Sequence, residues 1–168
     1  MVFNLRAAFV AIVVTAFAGF AQAQATNVAF GGLQHDSSLP VEITADQLQV
    51  DQSDGSALFT GNVLIGQGEM RLSAAEVRVE YASAGKDPTG RISRLFASGG
   101  VVLVNGAEAA EAREAIYTIG SGNIVMTGDV ILTQGQNALS ANRMEIELGS
   151  GTAQLDGRVR TILQPGAN

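Results

Sequence analysis

The chain of 168 residues has no cysteine and no tryptophan, one histidine and three prolines. Without cysteine no disulfide can staple the fold, so stability must come from burial and backbone pairing. The single histidine, His35, stands beside Asp36 in a polar stretch and reads as a solvated side chain. With no thiolate and one imidazole there is no material for a transition-metal cluster, and no metal or cofactor is expected. Basic charge is also scarce, with 10 Lys and Arg against 16 Asp and Glu and a net charge of -6. Phosphate binding needs a basic face, so a nucleic-acid partner is not expected. The glycine-rich runs lack a following lysine and helix and read as turns, not phosphate loops. Carboxylate pairs such as Glu145 with Glu147, or Glu76 with Glu80, fall on the polar phase of alternating segments. Glycosidases use two carboxylates, but an acidic domain offers such pairs by composition alone. No enzyme activity is expected.

The longest apolar run lies at the N-terminus. Arg6 precedes the run from Ala7 to Phe20, which is followed by Ala21-Gln22-Ala23 and Ala23-Gln24-Ala25. This pattern is that of a secretory signal peptide over 1–23, cleaved after Ala23 or Ala25. The run is short for a membrane span, and no later segment could cross a membrane as a helix. Phe3, Phe9, Phe17 and Phe20 leave with the signal, so Phe30, Phe59, Phe96, Tyr81 and Tyr117 are the aromatics that stay. Residues 24–40 read as a flexible leader, 41–164 as one folded domain, and 165–168 as a C-terminal tail.

What the chain does have is a repeat. Ala45, Ala74, Ala112 and Ala141 are each followed by a Gly-x-Val unit, at Gly61-Asn62-Val63, Gly99-Gly100-Val101, Gly128-Asp129-Val130 and Gly157-Arg158-Val159. Alanine to glycine is 16 residues in copies one, three and four and 25 in copy two, and glycine to the next alanine is always 13. The period is therefore 29 with an insertion of nine around Ser83 to Gly90. A fixed period of this size marks stacked units, none of which can bury its apolar face alone.

Inside each unit the apolar residues alternate. Ala57, Phe59, Val63 and Ile65 share a face, as do Leu95, Ala97, Val101 and Leu103, then Ile124, Met126, Val130 and Leu132, and finally Ala153, Leu155, Val159 and Thr161. A period of two reads as half-buried strands. Ala107 to Glu114 has a helical composition, but its place in the repeat assigns it to a strand. A glycine recurring mid-strand implies a bend, a bulge or a close backbone approach, and each Gly-x-Val is read as a corner. Turn signals fall at Asp51 to Gly55, Gly66-Gln67-Gly68, Gly120-Ser121-Gly122, Gln134 to Asn137 and Gly149-Ser150-Gly151. The expected fold is all-β, a stack of bent antiparallel strands built from four 29-residue repeats.

Ile43-Thr44-Ala45-Asp46, the run Phe59 to Gly68, and Leu72-Ser73-Ala74-Ala75-Glu76-Val77-Arg78-Val79 resemble the OstA-like family of periplasmic lipopolysaccharide-transport proteins, the LptA type. Gly128-Asp129-Val130 with Gln134-Gly135, and Leu139-Ser140-Ala141-Asn142, echo it more weakly. The resemblance implies a β-jelly-roll opened into a V whose apolar interior holds acyl chains. It also implies a periplasmic bridge carrying lipopolysaccharide from inner to outer membrane, with an LptC-type subunit at one end and an LptD-type subunit at the other. On that reading Phe59, Val63, Ile65, Phe96, Val101, Leu103, Ile124, Met126, Val130 and Leu132 line the groove. An open stack also leaves two edges for head-to-tail self-association, one at Val41 and Ile43 and one at Arg158, Val159, Arg160 and Ile162.

Two other readings stand beside this one. A membrane-anchored LptC-like subunit would share the fold but keep its N-terminal helix, against which the A-x-A sites speak. A structural β-solenoid would pack its interior solid and bind nothing.

Overall fold

The computed structural model describes residues 26–29, 36–51, 53, 55–82 and 90–163. The segment read as a signal peptide, His35, most of the insertion and the expected tail lie outside the described residues. The strands are β1 (Thr26–Ala29), β2 (Glu42–Thr44), β3 (Gln47–Asp51), β4 (Ser56–Gln67), β5 (Met70–Tyr81), β6 (Ile92–Asn105), β7 (Glu108–Thr118), β8 (Asn123–Gln134), β9 (Asn137–Glu147), β10 (Thr152–Asp156) and β11 (Arg160–Ile162). They form one antiparallel sheet ordered β1-β10-β9-β8-β7-β6-β5-β4-β2, with β3 also on β4 and β11 also on β9. Of the stretch from Ala107 to Glu114, Ala107 lies in the turn and Glu108 onward is strand, as its place in the repeat requires.

Every long strand bends at its corner, which divides the sheet into two facing walls. Glycine-bearing strands change register between Thr60 and Val63, Ser98 and Val101, and Thr127 and Val130. At each point two residues stand against one on the neighbouring strand, which is a β-bulge. Both bulge residues have positive φ, Gly61 at 78° with Asn62 at 48°, Gly99 at 82° with Gly100 at 88° and Gly128 at 84° with Asp129 at 50°, as do Gly157 at 76° and Arg158 at 50° in the bend between β10 and β11. The Gly99-Gly100 copy thus has the same geometry as the others despite its different sequence.

The fixed relation of alanine to glycine also has a cause. The side chain after each repeat alanine, namely Asp46, Ala75, Arg113 or Asn142, lies directly over the glycine of its own repeat. The second bulge residue reinforces this in two copies, because Asn62 Nδ2 donates to Asp46 Oδ2 at 2.8 Å and Arg113 pairs with Asp129. These pairs are exposed and add little stability.

The core lies between the walls. Val63, Ile65, Met70, Leu72, Val101, Leu103, Ala110, Val130 and Leu132 cover the inside of the wall that follows each corner glycine. Val77, Val79, Leu95, Ala97, Ala115, Tyr117, Ile124, Met126, Met144, Ile146 and Leu155 cover the other. On the glycine-bearing strands the two-residue bulge keeps the in-out phase across the bend, whereas on β5, β7 and β9 the inward phase shifts by one residue there, on β5 from Leu72 and Ala74 to Val77 and Val79.

The leader does not lie wholly outside the fold. β1 pairs with β10 from Thr26↔Leu155 to Ala29↔Thr152, giving the wall of Ile146 and Leu155 an outermost strand within the segment that the sequence assigns to a flexible leader. Further along, the carbonyls of Ser37 and Leu39 both accept from Gln67 Nε2 at 2.9 Å.

Candidate functional site

Nine of the ten candidate lining residues face the interior, and eight of these are fully buried, with Phe59 half-buried near one end of the stack. Phe96 is the exception and corrects the expectation. It sits between the inward Leu95 and Ala97 on β6, so its ring is on the outer face. There the guanidinium of Arg78, its cross-strand neighbour, lies 4.6 Å from the ring centre and that of Arg94 lies 5.4 Å away. Both guanidinia also bind Glu80. Cations over the ring face let an aromatic remain on a wet surface.

The interior is filled in this conformation. Opposing aliphatics meet across the space between the walls, so the V is shut. Its mouth is the line where the hairpin turns of the two walls approach. Tyr117 on one wall donates from its hydroxyl to Gln67 Oε1 on the other at 2.7 Å. Gln67 therefore ties together both walls and the segment from Ser37 to Leu39.

Burial pushes the Tyr117 hydroxyl up to about 12 from 10.0, with the bond to Gln67 offsetting part of the shift. Below pH 10.0 the phenol is protonated in both folded and unfolded chains, and its contribution to stability is complete. As pH rises from there towards about 12, the unfolded chain loses the proton first, so stability falls across that window. Denaturant melts through that range should show the loss, and Tyr117→Phe should remove this tyrosine's part of it. An unchanged alkaline profile in Tyr117→Phe would mean that the mouth is open in solution.

Gln67 was read as part of a turn, yet it ends β4 as one of the most buried polar residues. The missed signal is in the repeat itself. The sixth residue after the corner glycine is an amide in three copies, Gln67, Asn105 and Gln134. All three continue the inward phase of Val63 and Ile65, Val101 and Leu103, or Val130 and Leu132. With Glu108, paired to both Asn105 and Gln134 in the register, they form a polar row just inside the mouth.

The edge residues divide as follows. Ile43 lies in β2 and Val41 just before it, both packed against the end of the core. Arg160 and Ile162 are in β11, whereas Arg158 and Val159 form the bend that joins β10 to β11. At the first end Leu48 and Val50 of β3 are 57% and 59% exposed although they sit opposite the inward Phe59 and Ala57. They are core-phase residues with no further strand beyond them among the described residues.

Comparison with known proteins bears on all of this. The family model described as LptA/(LptD N-terminal domain) lipopolysaccharide transport protein matches residues 42–152. An uncharacterized protein of Rhizobium meliloti (strain 1021) is 34% identical over 112 residues, which cover 65% of this chain and 60% of that protein. The match thus spans less than two thirds of that relative's length. Among solved structures, LptH of Pseudomonas aeruginosa, described as the LptA homologous periplasmic component of the lipopolysaccharide transport device, superposes with a TM-score of 0.67. That similarity covers 77% of this chain and 99% of LptH at 16% sequence identity, and it is one of fold. The all-β stack of bent antiparallel strands expected from the repeat, and the β-jelly-roll that the resemblance implies, are the fold observed.

Proposed function

Because this chain belongs to the LptA/LptD N-terminal-domain family of lipopolysaccharide-transport proteins, we propose that it carries lipopolysaccharide through the periplasm with the acyl chains held between its walls. The observation that carries this reading is the uninterrupted aliphatic interior running from the β3 end of the stack to the β10 end. Branched and flexible aliphatics suit a flexible alkyl chain, and each buried methylene contributes roughly 0.8 kcal/mol. Opening the mouth exposes each wall's side chains, and an acyl chain laid there replaces the contacts of the opposite wall. Loading is then an exchange of one apolar packing for another. The three bulges and the Gly157-Arg158 bend are the natural hinge, because each already rests on a pair of positive-φ residues.

The carrier acts as one link of a bridge. The β2–β3 edge meets the LptC-type subunit or the preceding copy, and the β11 side meets the next copy or the LptD-type subunit. Leu48 and Val50 support this, since a following stack would cover core-phase side chains that are otherwise wet.

One observation favours a non-binding solenoid instead, namely the filled interior. Photocrosslinking separates the two. A photoreactive residue at Val63 or Val130 should label lipopolysaccharide, whereas one at Asn62, Asp129 or Phe96 should not. Absence of labelling from the inner positions would establish the solenoid, and equal labelling from both faces would defeat the groove.

A further inference from the structure

Among the described residues, one buried side-chain oxygen has no hydrogen-bond partner: Oε2 of Glu108. Glu108 is only 7% exposed. Its other oxygen accepts from Gln134 Nε2 at 2.6 Å. A carboxylate can only accept, and leaving one of its oxygens unsatisfied out of water is costly. Such a group calls for a specific explanation.

Its position supplies one. Glu108 opens β7 on the inward phase, in the same rank as Asn105 of β6 and Gln134 of β8. The next inward rank, one step deeper, is Leu103, Ala110 and Leu132, all fully buried. The oxygen therefore stands at the boundary between the polar row at the mouth and the apolar interior. An amphiphile lying with its tail on Leu103, Ala110 and Leu132 would bring its first polar linkage to this level. That linkage must donate, and it must carry no negative charge there, because the carboxylate would repel it.

We propose that Glu108 is a cargo-recognition residue, its Oε2 accepting a hydrogen bond from a hydroxyl or amide N–H close to where an acyl chain joins its head group. This rests on the cargo reading above and adds to it a specificity. A tail alone is not enough, and the donor at its root is read. Gln134 holds the carboxylate in place through the other oxygen.

Two neutral probes of equal tail length separate the effects: N-tetradecanoylethanolamine, which offers donors beside the chain, and methyl tetradecanoate, which offers only acceptors. The mature protein should bind the first about tenfold more tightly, as expected for one hydrogen bond to a charged acceptor. Glu108→Leu should bring the two affinities within about twofold while retaining binding of the ester. Its circular dichroism should match the parent's, because the half-exposed Gln134 amide can turn to water when it loses Glu108. If Glu108→Leu fails to fold, Glu108→Gln, which exchanges one acceptor oxygen for a donor, should lower the preference in the same direction. Equal affinity of the parent for both probes, or a preference that survives substitution, overturns the assignment and leaves acyl binding intact. A parent that binds neither probe also overturns it. If lipopolysaccharide then fails to label from Val63 as well, the cargo reading falls with it.

Discussion

Gly99→Ala is expected to lower the unfolding free energy by about 3 kcal/mol, combining left-handed backbone strain with overpacking. Gly99 has φ of +82°, and a Cβ there would come within 2.6 Å of the Ala75 Cβ and 3.7 Å of its Cα. A methyl carbon on the backbone cannot rotate aside, so the two strands must separate at the bulge. Gly61 and Gly157 are more forgiving, since the closest atoms there are the movable Asp46 carboxylate oxygen and Asn142 amide nitrogen, whereas at Gly128 the Arg113 Cβ stands 2.9 Å away.

Controls isolate the two contributions. Gly135 has φ of +59° but nothing within 4 Å of an added Cβ, so Gly135→Ala should cost only the strain, about 1 kcal/mol. Gly149 has neither positive φ nor a near neighbour, and Gly149→Ala should be close to neutral. Ala75→Gly in the Gly99→Ala background should recover the overpacking part and leave the strain. Chemical denaturation of the four variants gives the ranking. If Gly99→Ala melts with Gly149→Ala, the bulge is not the rigid corner described.

Charging the exposed end of the core should have the second large effect, this time on assembly. Leu48 and Val50 face the core phase but remain more than half exposed, so arginines there cost the monomer little. In a head-to-tail stack the same positions are buried by the next molecule. Losing two such apolar contacts removes about 3 kcal/mol, roughly a 100-fold weaker association. Light scattering over a dilution series should show concentration-dependent mass for the parent. The Leu48→Arg/Val50→Arg double variant should stay monomeric over the same range with unchanged circular dichroism. Removing Thr161 to Asn168 should reduce association from the other end, because it takes away most of β11, the outer strand of the wall that follows the corner glycines. A double variant that associates like the parent would place the joint elsewhere.

The repeat makes much of this legible before any fold is known. Phase alone puts Val63, Ile65, Val101, Leu103, Ile124, Met126, Val130 and Leu132 inside, because a strand's side chains alternate and a two-residue bulge does not reset the count. The corner glycines announce positive φ for the same reason that they recur at one register. Phe96 does not share the alternate positions on which the other lining residues were chosen, since it stands between the inward Leu95 and Ala97. What keeps it outside is Arg78 on the neighbouring strand, a cross-strand relation that local pattern does not contain.

By itself, then, the sequence determined the strands, the corners, the meander order and nearly all of the inner face, since each depends on residues close in the chain or on an exact repeat of 29. Tertiary structure alone decided that the walls meet, that Tyr117 reaches Gln67 across the mouth, and that Thr26–Ala29 closes on β10. These are pairings between distant segments, in which many partners satisfy the same local rules and only the packed whole selects one. The unsatisfied Glu108 oxygen belongs to the same class. Burial and the lack of a partner are properties of a closed interior, and no reading along a single strand contains them.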